Sequence, residues 1–533
     1  MIGMHGLVAT TISGLPKAND MVLDSKITDI WFDTAGAGEF IRGWSRKSGP
    51  DLSRLPFNGT FNFSGTGKGP INDLSIEGSL ISDAGRARAK AYLRNIILKG
   101  EPIEVGGRLY TEDLDAGSLI GKEFIGDISA RAALRAVLTP GGPSVKIDSL
   151  FVDKISLLDY DYSGIAAAGT LAQDTFDGKI ICNDPNLNFI FQGIVTPSAK
   201  TSNALYKFYA NIGYADLLAL NLDKRGQVSR VSGQVNANYM RVKREDMIGD
   251  VNVAGLVLED DSGRHDIGNI TLRSHSNEDV NRINFQSSFA DASYVGNRPL
   301  SQMVRDLQAL TSAREIPALY KKERLPQSGG QYAVNINMHD SRDLLSFVKK
   351  GFYIADSTKM KLRITPEGDL SADIVSPRIA LGNNYLRRME FNADNAEGRL
   401  MGKLNSKEIR LGGMKFLDGD ISLFADDNAI GAGFTYDNKT TRRNQGEIYL
   451  TGAVERNGDT LVVDTRLMPS NIYYEGDGWS LTGEKLKLKG KDVIIDRLLA
   501  ECNDQRVSLC GGFSSTKNDT LSLSLERFDI GIL

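Results

Sequence analysis

The glycines around one lysine, Gly65-Thr66-Gly67-Lys68-Gly69, come nearest in residue type to a phosphate cradle. Such a loop works because backbone amides and an ammonium converge on phosphate oxygens; it needs Ser or Thr after the lysine and a helix to follow. Here Gly69-Pro70 follows, and then the strand-like Leu74-Ser75-Ile76-Glu77-Gly78, so the run reads as a turn. The acidic groups Glu259-Asp260-Asp261 and Asp426-Asp427-Asn428 lack the alternating oxygen ligands of a calcium loop and read as solvated turns. His5, His265, His275 and His339 show no ligand spacing relative to Cys182, Cys502 and Cys510, so no metal site is expected. His339, just before a helix start, reads as a surface residue. A hairpin turning at Asn503-Asp504 sets Cys502 against a residue near 505 and Cys510 against one near 497, which predicts free thiols.

No Gly-x-Ser-x-Gly elbow is present, and no histidine sits in a glycine-rich setting that suggests a nucleophile's base. The chain is therefore not expected to be an enzyme, and no cofactor is expected. The balance of 63 Lys+Arg against 67 Asp+Glu gives a net charge of −4 over 533 residues, with no basic excess to meet a phosphate backbone, so nucleic acid is not an expected partner. No stretch approaches the roughly 18 apolar residues of a membrane helix. The opening MIGMHGLVATTISGLPKAND has no basic and apolar leader, and LSLSLERFDIGIL ends while still reading as strand, so both ends read as cut.

The informative residues are apolar ones at every second position. Thr60-Phe61-Asn62-Phe63-Ser64, Lys359-Met360-Lys361-Leu362-Arg363-Ile364, Asp420-Ile421-Ser422-Leu423, Glu447-Ile448-Tyr449-Leu450, Lys485-Leu486-Lys487-Leu488-Lys489 and Leu521, Leu523 and Leu525 all alternate. Successive strand residues point to opposite faces, so each segment has one apolar and one wet face, which suits antiparallel sheet. Asn58-Gly59, Asp83-Ala84-Gly85, Asp261-Ser262-Gly263, Pro366-Glu367-Gly368-Asp369 and Asn457-Gly458 punctuate the strands, and the spacing predicts on the order of 35–40 of them. With 55 Gly and only 15 Pro, the chain can turn often and keep its strands.

Helical patterns are few. Leu300 to about Arg324 reads as an amphipathic helix with Met303, Leu307, Leu310 and Leu319 on one side and a break or kink at Pro317. A shorter helix starts after Asp340 or Ser341, carries Leu344, Leu345, Phe347 and Val348, and stops at Gly351. A turn or two of helix fits 112–119. These helices either cover an open sheet end or plug a cavity. The division expected is a first β-groove segment over 1–299, a helical insertion over 300–325, and a second β-groove segment over 326–533 with a short helix near 341–350.

A sheet with one apolar face must bury it. Stacked sandwiches would need linkers, and an outer-membrane barrel would need aromatic girdles. The pattern favours an all-β fold: a long curved antiparallel β-sheet forming a trough with an apolar interior, plus a few short helices. About 35 strands at roughly 4.8 Å spacing would stack on the order of 150 Å. The expected lining is Phe61, Phe63, Phe189, Phe191, Val251, Val253, Met360, Leu362, Ile364, Ile421, Leu423, Ile448, Leu450, Leu486, Leu488, Leu521, Leu523 and Leu525. Ordinary sheet core is the competing reading of each, because alternation assigns a face and not what covers it.

Residues 57–65 (FNGTFNFSG) running into 74–80 (LSIEGSL), 184–193 (DPNLNFIFQG), 215–222 (ADLLALNL), and 270–274 (ITLRS) followed by 283–287 (INFQS) carry a resemblance. In these stretches the chain resembles the TamB-type, AsmA-like family of envelope proteins in its Bacteroidota form. The resemblance is one of patterned strands over most of the chain. It implies a β-groove that carries phospholipid between inner and outer membranes, with acyl chains as its cargo. It also implies a periplasmic location, an N-terminal inner-membrane anchor that this sequence lacks, and a C-terminal partner, an outer-membrane assembly barrel of TamA type. The alternative function it brings is a scaffold or chaperone for outer-membrane protein and autotransporter assembly.

Overall fold

The structure, a computed structural model, describes residues 5–33, 59–98, 100–139, 142–197, 203–224, 226–242, 246–277, 279–319, 329–395, 397–458, 460–490, 492–514 and 519–528. Asn58 of one predicted turn and the part of the helical insertion beyond Leu319 lie outside the described residues, as do the first four and last five positions. The fold is all-β: the described residues form 32 strands and a few short helices, and every strand pairing described is antiparallel.

The chain divides into two units, residues 1–244 with 250–269, and residues 245–249 with 270–533. In the first, strands from His5–Ser13 to Ser229–Val242 hydrogen-bond each to the next in chain order. The second is also a meander, with two departures. Tyr332–Met338 passes over the three-residue strand Phe352–Ile354 to pair with Lys359–Ile364. Two short strands, Asp477–Gly483 and Leu486–Lys489, share both neighbours, Thr460–Tyr474 and Asp492–Cys502.

Register shifts interrupt the ladders between Ile27 and Ile30 and between Thr111 and Leu114. Asp29 and Asp113 take left-handed φ values of 54° and 45° there, and each has its amide held by a serine hydroxyl across the ladder, Ser64 and Ser129. An extra residue of this kind bends its strand and adds twist.

One reading from sequence is corrected. Gly65 to Gly69 lie inside the strand Thr60–Pro70, and the turn falls at Ile71-Asn72. Gly65 pairs with Gly78, where the Phe63 ring lies across the backbone; a Cβ at Gly78 would meet that ring at 2.7 Å. The glycines make room for an aromatic ring in place of a phosphate. The acidic groups fall at turns, as read, with Asp261, Asp426 and Asp427 exposed, and the first of them is also hydrogen-bonded. Asp261 accepts from the Gln227 and Val228 amides at 2.8 Å each, and Asp260 faces His265 Nε2 at 2.9 Å. The cysteine register is as expected: Cys502 pairs with Gln505, and all three thiols are free.

The long helical pattern resolves into an α-helix, Leu300–Gln308, a π turn, Ala309–Ala313, and a 3-10 turn, Pro317–Leu319. Pro317 lacks an amide proton, so the α ladder cannot run through it. The other helices among the described residues are Ala116–Ile120 and Arg342–Val348, with a 3-10 turn at Ala18–Asp20.

Candidate apolar groove

Residues directly opposite in antiparallel strands share a face, so the register reads out what each face presents. In the second unit one cross-strand ladder runs Leu272, Phe285, Ala292, Ile336, Met360, Ile374, Phe391, Leu404, Ile421, Phe434, Ile448. Every member is apolar. A second, on the same face, runs Ile283, Tyr294, Val334, Leu362, Ala372, Ala393, Gly402, Leu423, Ala432, Leu450, Leu467. Between them, pointing the other way, stand Arg273, Asn284, Ser293, Asn335, Lys361, Asp373, Asn392, Lys403 and Ser422.

The first unit repeats the arrangement. One ladder reads Ile27, Gly65, Gly78, Ala89, Leu109, Ala132, Leu150, Ala167, Ile180, Phe191, Ala210, Val235. A parallel one carries Ile30, Phe63, Leu80, Ala87, Thr111, Ala130, Val152, Ile165, Cys182 and Phe189. Phe63 and Phe189, 126 positions apart in the sequence, are thereby brought into one row.

The sequence-derived lining residues fall as follows. Met360, Ile421 and Ile448 share the first ladder of the second unit, and Leu362, Leu423 and Leu450 the second. Leu486 and Leu521 stand in a third with Leu400, Ala425, Ile430 and Ile495. Leu523 pairs with Leu509, Leu525 with Val507, and Leu488 with Val463 and Val493. Phe61 faces Phe32 and stacks on it with ring centroids 5.3 Å apart. Val251 and Val253 alternate with exposed positions on the strand Asp246–Asp260.

Cover is uneven. Ile364 is 2% exposed, and Phe61 is also buried, whereas Leu423 is 45% and Leu523 63% exposed. Most of the others are half-buried. Ile364 is hidden because the helical segment lies over it. Met303, with Leu307 and Leu310 beside it, packs against Tyr294, Tyr332, Ile364 and Leu370. Leu319, grouped with them by periodicity, is largely exposed, because the helix has ended before it.

The segment is fastened at both ends. Asp306, 4% exposed, accepts from the Tyr332 hydroxyl at 2.5 Å, from Gln302 Nε2 at 2.7 Å and from an Arg298 guanidinium nitrogen at 3.3 Å. Burial, reinforced by Asp306, pushes the Tyr332 phenol above its ordinary range, and burial does the same at Tyr294. At the other end Asn428 Oδ1 accepts from the Ala318 amide at 2.8 Å, the Asn428 amide donates to the Glu315 carbonyl at 2.9 Å, and Arg456 donates to the Ala318 and Leu319 carbonyls. Glu315 is buried, and its Oε1 lies 3.2 Å from Arg314 Nε but off the line of a hydrogen bond. Burial raises its pKa, Arg314 opposes the shift, Asp426 adds to it, and the Leu400 amide opposes it.

In the first unit the turn at 217–222 folds over Tyr162 and Ala215, with Leu220 1% exposed. Nearby Asp184 accepts from the Tyr160 hydroxyl at 2.5 Å, the Asn186 amide at 2.8 Å, and the Ser163 amide and hydroxyl at 2.8 and 2.9 Å. Burial works against the Asp184 carboxylate, but those four donors outweigh it and hold its pKa low. Burial and Asp184 push Tyr160 up to about 12.

Among the described residues no three His, Cys, Asp or Glu side chains converge as metal ligands, and no helix is long and apolar enough to cross a membrane. His339 Nε2 faces Asp291 at 3.0 Å, partly exposed. What the arrangement offers chemically is a surface: rows of hydrocarbon about 4.8 Å apart, with polar and charged side chains on the opposite face. The cross-strand rows and the helical segment's seat on the apolar face are what the sequence left unread. No family model, no curated protein and no solved structure matches this chain.

Proposed function

We propose that the protein is a non-enzymatic lipid conduit that carries acyl chains along the apolar face of its sheet. The observation that carries this reading is the pair of unbroken apolar ladders in the second unit, eleven strands each, backed by a polar row over nine of those strands. Water-soluble proteins rarely leave a contiguous apolar face larger than a few hundred Å² without an occupant. Each CH₂ of a lipid gains about 0.8 kcal/mol on leaving water, and successive strands offer it equivalent contacts roughly every 4.8 Å. A hydrocarbon chain can therefore move from strand to strand without crossing a polar barrier. The absence of a charged residue from these rows matters for the same reason, since an unpaired charge against acyl chains is costly. The cargo is phospholipid, the setting is the periplasm between two membranes, and an outer-membrane barrel is the receiving partner; these rest on the resemblance to AsmA-like proteins of the TamB type.

The test is photocrosslinking in cells from Leu362 and Leu423, with Lys361 and Lys403 on the opposite face as controls. Lipid adducts at the leucines and few at the lysines are expected. Adducts to unfolded barrel strands at the leucines would favour the chaperone reading instead, and equal labelling of both faces would overturn the conduit.

A further inference from the structure

The segment 300–319 does not press flat against the sheet. Between its two fastenings Leu307, Thr311 and Ile316 form a roof over a cavity of about 510 Å³. The floor lies along the second ladder, from Leu362 onward. There the residues shrink to Ala372, Ala393 and Gly402, widen at Leu423, and shrink again at Ala432. The cavity exists because small residues from four different strands fall into one row directly beneath the segment. Its volume lies within the roughly 300–1,000 Å³ of small-ligand sites.

The lining asks for hydrocarbon. Apart from threonines its side chains are apolar, and two of the hydroxyls are already committed: Thr311 Oγ1 donates to the Leu307 carbonyl at 2.8 Å, and Thr465 Oγ1 to the Leu486 carbonyl at 3.0 Å. A peptide or sugar placed here would leave its own polar groups without partners, at a cost that hydrocarbon does not incur.

Resting on the conduit reading, we infer that the space beneath this segment is a discrete site for one acyl chain, and that the segment is a strap under which the chain passes, not a plug that bars it. The chain would lie across the small residues with its polar end outside the strap. Unit two would then hold one chain at a saturable position, while the uncovered ladders bind without a fixed stoichiometry.

Titration of the purified full chain with cis-parinaric acid, a fluorescent fatty acid, tests this. A Cβ at Gly402 would lie 3.6 Å or more from its neighbours, in ordinary contact with Phe391 and Leu423, so Gly402→Phe can fill the cavity from the floor. The wild type is expected to show one saturable site, and Gly402→Phe to weaken it at least tenfold with an unchanged melting temperature. Ala432→Leu, a smaller change in the same row, gives an independent reading should the phenylalanine disturb folding. The double variant Asn428→Ala with Arg456→Ala, which unfastens one end of the strap, is expected to raise the dissociation rate several-fold. If the wild type binds parinarate while both filling variants bind it within twofold of wild type, the strap site is overturned and the conduit survives. If the wild type binds no parinarate, both fall.

Discussion

The Tyr332 hydroxyl donates to Asp306 Oδ2 at 2.5 Å and so joins the helix Leu300–Gln308 to the strand Tyr332–Met338 that it covers. Both side chains are buried, and Asp306 keeps Gln302 and Arg298 as its other donors. Hydrogen bonds to charged groups are worth about 1.5–3 kcal/mol, so Tyr332→Phe is expected to cost that order in urea unfolding. The sign of the pH effect follows from the raised phenol pKa. The folded state holds the proton more tightly than the unfolded one, so the contribution is complete below the ordinary tyrosine pKa and is lost as pH climbs towards the folded value. Tyr332→Phe should therefore be less stable at neutral pH yet lose less on going to strongly alkaline buffer. A parallel loss in both proteins would remove Tyr332 as the source.

Leu362 and Leu423 stand in one row with Ala372, Ala393 and Gly402 between them. Putting Glu at both positions places two carboxylates in the path of an acyl chain. Leu423 is 45% exposed, so the folding cost there is small beside the effect on cargo. Parinarate binding by the second unit's apolar face should fall at least tenfold in the double variant. Lys361→Glu with Lys403→Glu, on the wet face, should leave it unchanged. Equal loss in the two pairs would mean that the charge acts through stability, which a melting curve on each would reveal.

Much of this could be read along the chain, because alternation is a property of single strands. Phe61 and Phe63, or Met360, Leu362 and Ile364, announce their face within a few residues. The rows are a different matter. Leu362, Ala372, Ala393 and Gly402 come from four strands, and only the register aligns them, so no local window contains the cavity floor. The same limit explains the misreading at Gly65 to Gly69. Glycine usually signals a turn, but here Gly65 and Gly78 are neighbours across two strands, and the ring of Phe63 needs the space. Helix amphipathicity placed Met303, Leu307 and Leu310 on one side without saying that this side meets Tyr332 and Ile364. The cysteine pairing was legible because a hairpin fixes its own register, as Cys502 and Gln505 show.

In the first unit Asp184 gathers four donors from Tyr160, Ser163 and Asn186. Its pKa is held low in the fold, so its contribution is present above the unfolded carboxylate pKa and is lost as pH falls through the folded value. Asp184→Asn keeps the shape but removes the charge and turns donors towards donors. It should cost about 1–3 kcal/mol at neutral pH and less in acid, where the unfolded chain takes up the proton first and the wild-type carboxylate's advantage fades. Urea titrations at pH 7 and pH 3 give the comparison. A penalty that stays constant or grows in acid would contradict the assignment.

Glu315 carries the opposite sign. Burial raises its pKa, Asp426 adds to the shift, and Arg314 and the Leu400 amide only partly offset it. One carboxylate oxygen, Oε1, has no hydrogen bond. The folded state therefore binds this proton more tightly than the unfolded state. The strap's far end should be firmest below the unfolded glutamate pKa and loosen as pH rises through the folded one. Hydrogen exchange reads this locally. Amides from Ala309 to Leu319 should exchange faster at neutral pH than in mild acid, once the intrinsic base dependence is removed, while amides of the strand Leu400–Leu411 change less. Glu315→Gln, which cannot ionise, should abolish the difference and hold the strap down at neutral pH. If the cavity beneath is the acyl-chain site, that variant should also release parinarate more slowly than wild type at neutral pH and at the same rate in acid. A pH dependence that survives Glu315→Gln would assign the loosening to another group.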